Sequence, residues 1–170
     1  IGHGSRRGGA NRGFEKYVAQ FQASHSDRYQ ISHGYVELAE PFMGDALRAA
    51  AQDPGTDEIV AVPLLLFRAG HAKNDLPIAL AELRKEFPNK TFHAADALGV
   101  HPDLGALLPE RAAEAVQELA DDSDAARART AVVVIGRGSS DPDANGDFYK
   151  QCRVFGAGRG YAQVLPCFAG

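Results

Sequence analysis

Cysteine is scarce in this chain: 2 residues of 170, Cys152 and Cys167, both near the C-terminal end. Two late thiols cannot supply a disulfide framework or a four-cysteine iron–sulfur site, so they read as unpaired cytosolic thiols. No apolar run reaches the roughly 18 residues of a membrane span, and no signal peptide opens the sequence. The expectation is a cytoplasmic protein with no membrane partner. Positive charge is not in excess either. The formal net charge is −4 and the pI about 5.8, which excludes a general attraction to nucleic acid or to anionic lipid. A G-x-x-x-x-G-K-[ST] stretch is missing, and the G-x-G pattern in GHGSRRGG is weak, so the chain is not expected to use ATP.

What is present is 45% hydrophobic, enough for one good core or two small ones. Its organising stretch is 59–77, IVAVPLLLFRAGHAKNDLP. Residues 59–67 are almost unbroken apolar, the pattern of a strand buried on both faces of a parallel sheet. The run stops at Arg68-Ala69-Gly70, and His71, Lys73, Asn74 and Asp75 follow before Pro77 opens a helix. Open α/β sheets place their chemistry at such strand ends.

Around it, periodicity predicts helices over 10–26, 42–52, 77–87 and 103–119. Strands are predicted over 29–38, 58–67 and 90–97. With one strand expected before Ile1, the order is β-α-β-α-β-α-β-α, an α/β fold with a parallel sheet covered by helices. A sheet ordered 2-1-3-4 is the expected topology. Residues 1–120 form the first module, and 121–129 (DDSDAARAR), charged and without a large apolar residue, read as a linker.

Beyond the linker the chain repeats itself. Residues 130–135 (TAVVVI) form a strand that runs into Gly136-Arg137-Gly138-Ser139-Ser140. Setting IGHGSRRGGANRGFEKYV (1–18) over IGRGSSDPDANGDFYKQC (135–152) gives 8 identities in 18 positions without a gap, at an offset of 134. The offset places the start of a second, incomplete module at 130–170. It also implies residues before Ile1 and a longer two-module protein, with a pseudo-two-fold partner module or a second copy completing a cleft.

The repeat separates scaffold from chemistry. Gly2, Gly4, Ser5, Ala10, Asn11 and Phe14 recur as Gly136, Gly138, Ser139, Ala144, Asn145 and Phe148, whereas His3 is replaced by Arg137. Turns and helix packing need the shared residues. In the 2-1-3-4 order His3 follows strand one, His71 follows strand three, and Glu37 lies at the end of strand two. Two imidazoles and a carboxylate would then meet at one edge, a set suited to divalent cobalt, nickel, zinc or iron with positions left open. Taken singly, each histidine is as readily a hydrogen-bonding residue of a Gly-rich turn. Glu40, three residues after Glu37, stands as an alternative acid.

The segments GHGSR with a following AN, VELAEP, and VPLLLFRAGHAKNDLP resemble the sirohydrochlorin chelatases, the class II tetrapyrrole chelatases, along the whole chain. The tandem plan, with histidines in the first copy only, resembles the long two-module form of the cobaltochelatases. The resemblance implies a flavodoxin-like sheet in each module and insertion of a divalent metal into sirohydrochlorin, in cobalamin or sirohaem synthesis. Co²⁺ is favoured, and Fe²⁺ and Ni²⁺ are the alternatives. It implies His3 and His71 as the metal-binding and catalytic histidines and Glu37 as the accompanying acid. No cofactor beyond the substrate metal is expected. A polyacidic tetrapyrrole also needs donors at the rim, for which Ser5, Arg6, Arg68 and Lys73 are the candidates. A carrier that binds metal or pigment without joining them is the non-enzymatic alternative.

Overall fold

The computed structural model describes residues 1–117 and 123–169. The chain divides into two compact units, Ile1–Leu98 and Gly99–Gly170. The first holds α1 (Gly8–His25), α2 (Met43–Gln52), β1 (Glu58–Ala61), a π-helical turn (His71–Asp75), α3 (Leu76–Glu86) and β2 (Thr91–Ala94). The second holds α4 (Pro102–Gln117), the one-turn α5 (Asp124–Arg127), β3 (Ala131–Gly136), α6 (Pro142–Gly156) and β4 (Gln163–Phe168).

In the first unit β1 and β2 pair in parallel, from Glu58 opposite Thr91 to Ala61 opposite Ala94. Residues four apart on α2 (Met43, Leu47, Ala51) and the stripe Leu76, Leu80, Leu83 on α3 close over Ile59, Ala61 and Phe92 to form the core. Each buried leucine contributes roughly 1.5–3 kcal/mol. The stretch 59–67, expected to be buried on both faces, is buried on one. Ile59, Ala61 and Pro63 are covered, while Val60, Val62 and Leu66 are exposed. The reason is helix placement. Both α2 and α3 lie on the Ile59 face, and α1, which buries none of its residues, reaches the opposite face where the Phe14 ring lies over Gly2.

A second expectation also needs correction: 29–38 is not a strand. Only Tyr35 makes bridges, to Gly2 and to Phe42. The Tyr35 N–H donates to the Pro41 carbonyl, and the Met43 N–H to the Tyr35 carbonyl, so the segment folds back on itself. The order 2-1-3-4 is therefore not present as a four-stranded ladder; the described residues form two two-stranded parallel sheets, β1–β2 and β3–β4. Lateral backbone hydrogen bonds do extend past β1. Val36 and Glu37 donate to Gly2 and His3, Leu64 donates to Ile1, and Leu98 donates to Leu65.

In the second unit β3 and β4 pair in parallel from Ala131 opposite Gln163 to Gly136 opposite Phe168, with Ala144, Phe148, Cys152 and Phe155 of α6 buried. Of the stretch read as a linker, 121 and 122 lie outside the described residues, and Ser123 caps α5 by accepting the Ala126 N–H. The predicted end of α4 at 119 also lies outside them. Among the described residues no helix is long and apolar enough to cross a membrane.

Candidate metal centre

The turn after Gly2 is built the same way in both units, which explains why its residues recur. Gly4 and Gly138 adopt φ of 91° and 87°, a region that L side chains avoid. Phe14 and Phe148 fill the space a Cβ would need at Gly2 and Gly136. The Ser5 hydroxyl accepts the Arg7 N–H at 3.1 Å, as Ser139 accepts that of Asp141 at 3.1 Å. Asn11 donates to the Ser5 carbonyl at 2.8 Å, and Asn145 to that of Ser139 at 2.7 Å. Two copies of one turn thus present different residues at its tip: His3 in one, Arg137 in the other.

His3, Glu37 and His71 come together in the first unit, where each offers a ligand atom and all three atoms lie within 4.8 Å of one another. His3 Nε2 stands 3.7 Å from Glu37 Oε1, and the two imidazoles meet edge to face with centroids 5.1 Å apart. Among the described residues this is the group of three able to hold an ion, and Glu40 is not in it. Ligand atoms at 2.0–2.2 Å from one ion stand about 3.3–3.6 Å apart in tetrahedral geometry, so side-chain shifts of about an ångström would close the group.

The hydrogen bonds fix which nitrogens are available. His3 Nδ1 is 3.2 Å from the Gly4 carbonyl, which can only accept, so the proton sits on Nδ1. His71 Nδ1 donates to Asp75 Oδ2 at 2.7 Å. In the neutral rings both Nε2 lone pairs are then free for a cation or a proton. All of these side chains are between about a third and a half exposed. Ion pairs so exposed contribute about 0–1 kcal/mol to stability, so structural need does not account for the cluster.

Sequence reasoning missed Asp75. The signal was present as H-x-x-x-D, but residues four apart face each other only on a helix, and 71–75 read as a loop. The structure winds it as a π-helical turn closed by the Leu76 N–H on the His71 carbonyl. Of the rim candidates, Arg68 pairs with Asp96 at 3.3 Å, Arg6 is exposed, and Lys73 is half-buried in the turn. The Ser5 hydroxyl is engaged in its own turn. Below His3 lies a cavity of about 120 Å³, with Ser5, Asn11, Phe14, Tyr35 and Leu64 in its wall.

Comparison with known proteins was made on sequence and on structure. The CbiX family matches residues 1–115 and 131–170. The sirohydrochlorin cobaltochelatase of Priestia megaterium is 29% identical over 170 residues, covering 100% of this chain and 53% of that protein. The sirohydrochlorin ferrochelatase of Bacillus subtilis (strain 168) is 29% identical over 168 residues, covering 99% of this chain and 60% of that one. The chain thus spans between half and two thirds of the length of these relatives. The crystal structure of the sirohydrochlorin chelatase SirB from Bacillus subtilis subspecies spizizenii in complex with cobalt superimposes with a TM-score of 0.76 at 26% identity. That match covers 98% of this chain and 64% of the other.

Proposed function

The chain belongs to the CbiX family, and from that premise we propose that it inserts a divalent metal into sirohydrochlorin, with Co²⁺ as the favoured ion. The observation that carries the proposal is the convergence of His3, Glu37 and His71 within 4.8 Å. Fe²⁺ remains the second reading, because one relative of equal identity is named a ferrochelatase. Ni²⁺ suits the same donors, and intrinsic affinity alone does not choose among the three.

Insertion replaces two pyrrole N–H protons by one M²⁺, so the site must deliver an ion and take protons at the same place. Neutral imidazole does either near pH 7. In this reading His3 and His71 present the ion through Nε2. Glu37, against His3, would balance its charge and then accept one released proton, and an imidazole Nε2 vacated by the ion would accept the other. A cavity of 120 Å³ is too small for a macrocycle, since ligand pockets run to roughly 300–1,000 Å³. The pigment therefore lies over the open edge, above the imidazoles.

The topology that places this edge is read as 2-1-3-4. Support comes from the backbone hydrogen bonds that join 36–37 to 2–3, 64 to 1, and 98 to 65. Residues 1–120 are proposed as the histidine-bearing module and 130–170 as the start of the second, on the sequence repeat alone, since α4 clusters with the second compact unit. The reaction belongs in the cytoplasm, where free thiols such as Cys152 and Cys167 persist. Arg6, Arg68 and Lys73 would meet the acidic side chains of the pigment, with Ser5 shaping the turn that leads to them. Arg6→Ala should weaken pigment binding more than metal binding, and by less as salt is raised. Equal losses of both would speak against a rim role.

The deciding experiment mixes metal-free sirohydrochlorin, Co²⁺ and the protein at catalytic concentration and follows the pigment's absorbance. Turnover many times the protein concentration is expected. A change that stops at one equivalent would make the protein a carrier.

A further inference from the structure

We propose that Asp75 is a positioning residue for the metal step, holding His71 in the one ring orientation that presents Nε2 to the cation. The inference rests on the metal-site reading above and extends it to a residue outside the three ligands. An imidazole turned over about its bond to Cβ puts Cδ2 where Nδ1 stood and Cε1 where Nε2 stood, and a ring free to turn, or to carry its proton on Nε2, offers the ion a C–H or an N–H in place of a lone pair. The Asp75 carboxylate removes that freedom, because it accepts from His71 Nδ1 at 2.7 Å. A charge-assisted bond of this length is stronger than the 3.2 Å contact that orients His3 through the Gly4 carbonyl.

The backbone is shaped to make this contact. Residues 71–75 form a single π-helical turn between Gly70 and Leu76, the Leu76 N–H closing it on the His71 carbonyl. The Ala72 and Lys73 N–H groups share the Ala69 carbonyl at its start. Leu76, 2% exposed, pins the far end in the core. Such turns inside helices are uncommon and concentrate at functional sites. Here the wider turn aligns residues four apart, the spacing of His71 and Asp75. The pair is 36% and 50% exposed, so its contribution to folding is small and a local role has to account for it.

The test is Co²⁺ binding to the full chain, followed by titration calorimetry and by the visible ligand-field band of bound cobalt. Asp75→Ala should weaken binding about ten- to hundredfold with an unchanged unfolding temperature. Asp75→Asn, whose amide oxygen still accepts from Nδ1, should recover most of that loss. In a His71→Ala background, Asp75→Ala should cost nothing further, because its effect passes through the missing ring. Wild-type affinity in Asp75→Ala, an added loss on top of His71→Ala, or no recovery by asparagine would each overturn the role of Asp75. In those cases loss of binding in His3→Ala and His71→Ala would leave the metal-site reading standing. A wild-type chain that takes up no cobalt would overturn both.

Discussion

Position 3 carries an imidazole and its counterpart 137 a guanidinium on turns that are otherwise alike down to the Asn–Ser hydrogen bonds. The scaffold is indifferent to the choice, as the proposed metal role of His3 requires. His3→Ala and His71→Ala should each cut chelation at least a hundredfold, the order expected for removing a metal ligand or general base. Unfolding temperature should stay within a degree or two, since both side chains are partly exposed and surface substitutions cost about 0.5 kcal/mol or less. Pigment absorbance and a thermal melt measured on the same samples check this, and a melt shifted in step with activity would make the histidines structural. Gly4 is the opposite case. Its φ of 91° costs an L residue about 1–2 kcal/mol, and an added Cβ would collide with the carbonyl oxygen of Glu37. Gly4→Ala should therefore lower the unfolding temperature and displace Glu37, the acid of the proposed metal site, together, which calorimetry with and without Co²⁺ would register. Retained stability with retained cobalt binding would contradict the geometry.

Tyr35 ties α1 to the segment that carries Glu37. It is 1% exposed, its hydroxyl donates to Glu15 Oε1 at 2.9 Å, and it bridges both Gly2 and Phe42. Burial, with the Glu15 hydrogen bond and charge adding to it, pushes its phenol from the ordinary 10 up to about 12. A folded pKa above the unfolded one means stability that is fully present below pH 10 and lost as pH rises toward 12. Denaturant melts should show the advantage of wild type over Tyr35→Phe constant below that window and shrinking through it; an advantage that does not change would place the phenol in water. The same segment marks where sequence reading ran out. Helices α1 to α3 and the strands β2 and β3 were legible from periodicity within a few residues, whereas β1 ends at Ala61, six residues before the predicted 67. Residues 29–38 are as rich in β-formers, yet pairing needs a neighbour along the whole length. Only 35–37 find one, at 2–3, before Leu38 turns with φ 66° and the chain folds back onto Pro41. That His3, Glu37 and His71 lie together was legible because strand ends converge. Asp75 was not, because its spacing to His71 pairs the two only on a helical turn, and 71–75 read as a loop.

On the scale of the whole chain, duplication and chemistry part company. Both units carry the glycine turn and the helix that packs behind it, and each closes a small parallel sheet of its own. Among the described residues, a group of three side chains able to hold an ion is found in the first unit. Arginine at 137 stays protonated and has no lone pair to give, so the second turn offers a cation nothing at the position where the first offers His3. The free ion should then bind with a stoichiometry of one tight site per chain. Pairs such as His93 with Glu58, or His101 with Asp103, supply two donors at most and are largely exposed, so they would hold cobalt far more weakly. Calorimetric titration with Co²⁺ should give one equivalent that vanishes in His3→Ala and persists in Arg137→Ala. In Arg137→Ala the loss of a cation should instead be felt, if anywhere, by the acidic pigment, with a dependence on salt that the metal step lacks. Two tight equivalents in the wild-type chain, or one that survives His3→Ala, would show that the second unit has kept a metal site of its own.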